Sequence, residues 1–124
     1  MHLICDCTGG DGVALDSMDV VRGFLRAAPE LLGMTPISDL LVLRHEPEKV
    51  VDGGLTGDVI IAESHISIHT FPQVGAAMID VCSCKPFDAA PVLALIKEAF
   101  AFRSVRHQIV KRMLLPSLTV SFAG

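Results

Sequence analysis

The 124-residue chain is 51% hydrophobic and 19% charged, with a net charge of −4 and a mean hydropathy of +0.54. That is one domain, 1–124, with ample apolar material for a core and so little charge that part of its surface is expected to be covered in an oligomer. The acidic balance argues against a nucleic-acid partner, no apolar run is long enough to cross a bilayer, and the opening MHLICDCTGGDG lacks the regions of a signal peptide, so a cytoplasmic protein with reduced thiols is expected.

In chain order, His2–Cys7 alternates weakly and reads as a strand, and Thr8–Gly12 as a loop. Ser17 caps a helix whose apolar face is Val20, Val21, Phe24, Leu25 and Ala28; Pro29 kinks or interrupts it and Gly33 ends it. Ile37–Glu46 is a second strand, followed by turn residues around Asp52, Gly53 and Gly54. Asp58–Phe71 and Ala76–Cys84 are two strands joined by the hairpin signal PQVG. Asp88 caps a second helix with Val92, Leu95, Ile96, Ala99 and Phe100 on its apolar face and Pro91 in its first turn. Ser104–Leu115 is a further strand, and SLTVSF another. This order predicts an α+β two-layer sandwich, an antiparallel sheet with two helices on one face. A second subunit is the simplest cover for the other face, through the sheets or their edges.

The four cysteines form two C-x-C pairs, Cys5/Cys7 and Cys82/Cys84. Neighbouring strands carrying them would present four thiols for a metal, although structural zinc sites usually use wider spacings on turns. The alternative is small buried hydrophobes.

Read as one strand, Asp58–Phe71 puts Ile66 and Ile68 on one face with Ser64, and Glu63, His65, Ser67, His69 and Phe71 on the other. The second face is too polar for plain core, so it meets solvent or lines a site. A serine hydrolase would need a G-x-S-x-G elbow, which is absent. His65 and His69 share a face but lie about 13 Å apart along a strand, too far for one ion without a bend. A polar edge strand with unremarkable histidines remains open on these grounds.

The motif ESHISIHTFP followed by AAMIDVCSC resembles the prokaryotic S-adenosylmethionine decarboxylases, a family of pyruvoyl-dependent, self-cleaving proenzymes. The matching positions are Ser64, His69 and Cys84, and the likeness in length and element order covers essentially the whole chain. The resemblance implies cleavage between Glu63 and Ser64. The Ser64 hydroxyl attacks the Glu63 carbonyl to give an ester; His69 removes the Ser64 α-proton; elimination and hydrolysis leave a pyruvoyl group on the new chain. That group forms a Schiff base with the substrate amine and accepts the electrons left by CO₂, and Cys84 returns the proton. Neither metal nor PLP is implied. Thr56, His65 and Ser67 would support processing, Asp80 fits the downstream pattern, and Cys82 is packing. The resemblance also implies a homodimer of cleaved protomers with sites near the interface, a small cationic amino-acid substrate, and a product that feeds spermidine synthesis in polyamine biosynthesis. Ser64 and His69 are an odd number apart, so either a bulge intervenes or the histidine acts on the backbone.

The chain departs from the family in substrate recognition. The family's T-W-P-E is here Thr70-Phe71-Pro72-Gln73, a second stacking aromatic falls near Val50, and Lys85 replaces a glycine. Phe71 still offers an aromatic face, and Gln73 accepts a hydrogen bond without charge. Two alternatives follow: a pyruvoyl-dependent decarboxylase of ornithine or arginine, or an uncleaved, non-enzymatic homologue.

Overall fold

Alternation with period two runs through the middle of the chain and builds one antiparallel sheet. The computed structural model describes residues 1–48 and 53–112. Its strands are β1 (His2–Thr8), β2 (Thr35–Pro36), β3 (Leu41–His45), β4 (Gly54–Ala62), β5 (Ser64–Phe71), β6 (Ala76–Ser83) and β7 (Ser104–Val110). The order is β2, β4, β5, β6, β1, β7, with β3 also pairing β4. Buried Leu55, Val59 and Ile61 of β4, Ile66 and Ile68 of β5, Ile79 and Val81 of β6 and Leu3 and Cys5 of β1 form the core face.

Three helices pack against that face: α1 (Gly12–Leu15), α2 (Met18–Leu31) and α3 (Ala90–Phe100). The α+β two-layer reading holds, with one more helix than expected. The short α1 lies beyond the expected loop, where the Asp11 carboxylate accepts from Val13 N–H. Ser17 caps α2 by accepting from Val20 N–H at 3.2 Å. Pro29 sits inside α2, late enough that the helix runs on to Leu31 before Gly33 turns at φ 67°. Asp88 accepts from Ala90 N–H, although the capping position itself is Ala89. Phe24 of α2 and Phe100 of α3 meet edge to face at 6.0 Å, so the helices share one core with the sheet.

The Asp58–Phe71 segment is two strands rather than one. β4 and β5 form a tight hairpin about Ala62 and Glu63, pairing from Thr56↔His69 to Ile61↔Ser64. The turn lacks the Gly, Asn or Pro that usually announces one, and β-formers flank it on both sides. The PQVG hairpin is present as a 3₁₀ turn, Pro72–Val74, closed by Gly75 at φ 66°. The expected Ile37–Glu46 strand shrinks to β3. Ahead of it, the Ser38 hydroxyl takes the Ile60 N–H that a continuous strand would have bonded through its backbone. The seventh strand ends at Val110, and SLTVSF lies outside the described residues. No helix among the described residues is long and apolar enough to cross a membrane.

The face away from the helices mixes polar and apolar groups. It carries His65, Ser67, His69 and Phe71 of β5, with Leu41, Leu43, Ile60 and Met78 all about half exposed.

Candidate active site

The hairpin turn puts Glu63 and Ser64 at one end of the sheet. Ser64 has φ 129°, a region that a side chain rarely tolerates, at a cost on the order of 1–3 kcal/mol. Its hydroxyl lies 3.4 Å from Nδ1 of His65. Ser64 is level with Ser83 of β6, and the next residue, Cys84, donates its backbone N–H to the Glu63 carbonyl at 3.4 Å. Glu63, Ser64, His65 and Cys84 therefore form one group. The carbonyl that the Ser64 hydroxyl would attack already faces a donor, the arrangement that favours a developing oxyanion.

His69 is not in that group. β5 pairs both β4 and β6 without a skipped residue, so no bulge lies between Ser64 and His69. The two are about 17 Å apart along the strand, with His69 on the open face. His69 Nδ1 instead meets the Thr56 hydroxyl at 3.2 Å across the β4–β5 pair. Thr56, His69, Phe71, Thr70, Met78, Gly54 and His45 line a cavity of about 190 Å³. His45 and Gly54 also border a second cavity of about 480 Å³, reaching Gln73, Asp16, Arg44 and Glu46. Gly54 has to be a glycine, because a Cβ there would run into the Thr70 carbonyl. Ser67 lies midway, in register with Asp58 and Asp80.

The family model for S-adenosylmethionine decarboxylase matches residues 1–113. The chain belongs to the S-adenosylmethionine decarboxylase family. It is thereby a decarboxylase. An S-adenosylmethionine decarboxylase proenzyme of Methanococcus aeolicus is 38% identical over 96 residues, 74% of this chain and 77% of the relative. A Clostridium botulinum proenzyme is 31% identical over 112 residues, 90% of this chain and 91% of the relative. One from Aquifex aeolicus is 37% identical over 84 residues; that match takes in 68% of this chain and spans 58% of the relative's length. The crystal structure of the Aquifex aeolicus adenosylmethionine decarboxylase superposes with a TM-score of 0.75 at 29% identity, covering 92% of this chain and 90% of that one.

In this decarboxylase the cysteines do not form a metal site. Cys5 and Cys7 point into the core, while Cys82 pairs with His2 and His65 on the open face. Burial pushes the Cys5 and Cys7 thiols up to about 12, with nearby acidic groups adding to it, and they behave as small hydrophobes. No metal-binding group of His, Cys, Asp and Glu occurs among the described residues, and His65 and His69 stay apart on one straight strand. Asp80 approaches His2 Nε2 at 3.9 Å. Val50 lies outside the described residues. Two features of the site are hard to see in the sequence. His45 borders both cavities although it sits in the unremarkable run LRHE, and the Cys84 contribution at the turn is a backbone N–H, which no side-chain motif announces.

Proposed function

We propose that this chain is a self-cleaving decarboxylase of polyamine biosynthesis that makes a pyruvoyl group from Ser64 and acts on S-adenosylmethionine in the cytoplasm. The observation that carries this reading is the Glu63–Ser64 turn. A serine held at φ 129° at a hairpin tip, with a donor on the preceding carbonyl, is poised for attack on its own peptide bond. Ordinary peptide bonds are planar and inert, so such help is required.

The residues at the turn fit the group they would generate. Once the bond after Glu63 is cut, position 64 becomes the start of a new chain, level with Ser83 of β6 and next to Cys84 just past the end of that strand. The pyruvoyl carbonyl supplies the electron sink for loss of CO₂ from an amine substrate. Cys84 is the proton donor, His69 the base that removes the Ser64 α-proton, and Thr56 holds the His69 ring through Nδ1. Phe71 packs against the substrate's flat ring, and Gln73 accepts from its hydroxyls. His65 and Ser67 support processing.

Within one copy His69 is too far from Ser64 to act on it. A homodimer packed through the open faces resolves this, each copy's His69 and Thr56 serving the other's turn. The half-exposed Leu41, Leu43, Ile60 and Met78 on that face support such an interface. No step needs nucleic acid, a membrane, PLP or a metal.

One observation favours a second substrate class. Gln73 opens onto the larger cavity beside Glu46 and the Asp16–Arg44 pair, a setting that suits the distal cation of ornithine or arginine as well as a ribose. Intact-mass spectrometry after cyanoborohydride reduction with S-adenosylmethionine, ornithine or arginine tests both readings. Two chains split after Glu63, with the chain from position 64 gaining the mass of one amine, is the expected result. One unmodified chain under every condition identifies an uncleaved homologue and overturns the proposal.

A further inference from the structure

The self-cleavage proposed above needs two proton abstractions, one from the Ser64 hydroxyl and one from its α-carbon. Within one chain the structure puts a single histidine, His65, beside Ser64. We propose that His65 is the base for the first step, activating the Ser64 hydroxyl within its own chain, and that His69 serves only the second. This rests on the processing reading.

The geometry is local. His65 Nδ1 is 3.4 Å from Ser64 Oγ, within reach of a hydrogen bond that tightens as the nucleophile moves. An alternating strand would send residues 64 and 65 to opposite faces. The φ of 129° at Ser64 breaks that alternation and lets its hydroxyl reach the ring of the next residue. His65 stands on the open face between Ile60 of β4 and Cys82 of β6, in register with both. Within one copy the ring is exposed. His69, five residues on and bound to Thr56, cannot reach the same hydroxyl in its own chain.

The step balances without a co-reactant. His65 Nδ1 takes the proton from Ser64 Oγ as the oxygen bonds to the Glu63 carbonyl carbon. The electron pair of the carbonyl moves onto its oxygen, which receives the Cys84 N–H. The pair then returns, the bond from that carbon to the Ser64 nitrogen breaks, and His65 gives its proton to the nitrogen. One amide becomes one ester and one amine, and His65 ends as it began. His69 then acts on the ester.

Hydroxylamine separates the two steps, since it cleaves esters far faster than amides. The full chain is purified as wild type, His69→Ala, His65→Gln and the double variant, and each is treated with hydroxylamine and weighed. His69→Ala is expected to accumulate the ester and to split after Glu63, leaving a hydroxamate on the first chain. His65→Gln and the double variant are expected to stay whole, with the first step at least about a hundredfold slower. Added imidazole is expected to restore splitting in a His65→Gly variant, a result that a merely structural role would not produce. A hydroxylamine-labile bond in the double variant at the level of His69→Ala overturns the role of His65, as does wild-type splitting in His65→Gln. A wild-type chain that never splits, with no labile bond in His69→Ala, overturns the processing reading itself and this proposal with it.

Discussion

The two ends of β5 are built from the same alternating strand and do different work. At the Ser64 end the pattern is broken: a tight turn, a backbone outlier at Ser64, and contacts made largely by peptide groups. At the His69 end it is kept, and side chains on the open face meet in register, Thr56 against His69, with a cavity beyond. On the proposed reading, the turn is where the bond is rearranged and the His69 end is where a base and a substrate are held. Bond rearrangement calls for a strained, locally closed peptide, whereas holding a base and a substrate calls for a rigid surface with room above it.

The largest expected effect falls on the turn. Ser64→Ala leaves a single full-length chain and abolishes decarboxylation, read by intact mass and release of CO₂. A cleaved Ser64→Ala protein would remove the turn from the comparison. Mixing the two ends comes next: Ser64→Ala and His69→Ala, each uncleaved alone, are expected to restore splitting of the His69→Ala chain when unfolded and refolded together. Recovery shows that the His69 end of one copy serves the turn of another, and its failure returns both ends to one chain.

Stability changes sharpen the contrast between the faces of the strand. Ile68→Ala opens a hole under the helices and is expected to cost about 2–5 kcal/mol. Ser67→Ala on the open face is expected to change stability by no more than about 0.5 kcal/mol. Urea unfolding of both variants makes the comparison. A pH dependence follows from the core thiols. Cys5 and Cys7 ionise near 9 in the unfolded chain and near 12 when folded, so the unfolded chain releases their protons first as pH rises. Stability present in full below pH 9 is therefore expected to fall from pH 9 to 12, and Cys5→Val to flatten the fall, as followed by unfolding at stepped pH. The smallest effect is Gln73→Glu, which restores a charged acceptor and is expected to improve kcat/KM for S-adenosylmethionine about fivefold, roughly 1 kcal/mol. No change would take ribose recognition away from position 73.

Much of this was legible from residue patterns. Period-two alternation marked Ile66 and Ile68 as core and His65, Ser67 and His69 as the other face, and Ser17 and Gly33 bounded α2. The hairpin at Glu63 was not legible, because Ala62-Glu63-Ser64 is flanked by β-formers and contains no residue that prefers a turn. Ser64 and His69 are an odd number apart, so the sequence leaves open a bulge between them or a histidine that acts on the backbone. The continuous register shows instead that the separation is real.

What the sequence determined by itself is therefore the family, through Ser64, His69 and Cys84 at its spacings, and a two-layer α+β fold whose faces follow from side-chain alternation. What only the tertiary structure decided is who meets whom. Backbone φ at Ser64, the Cys84 N–H on the Glu63 carbonyl and the pairing of Thr56 with His69 depend on strand register and on a turn that no local propensity announces. Register is set by burying one face of the whole sheet at once, and that is a property of the packed core rather than of any short stretch within it.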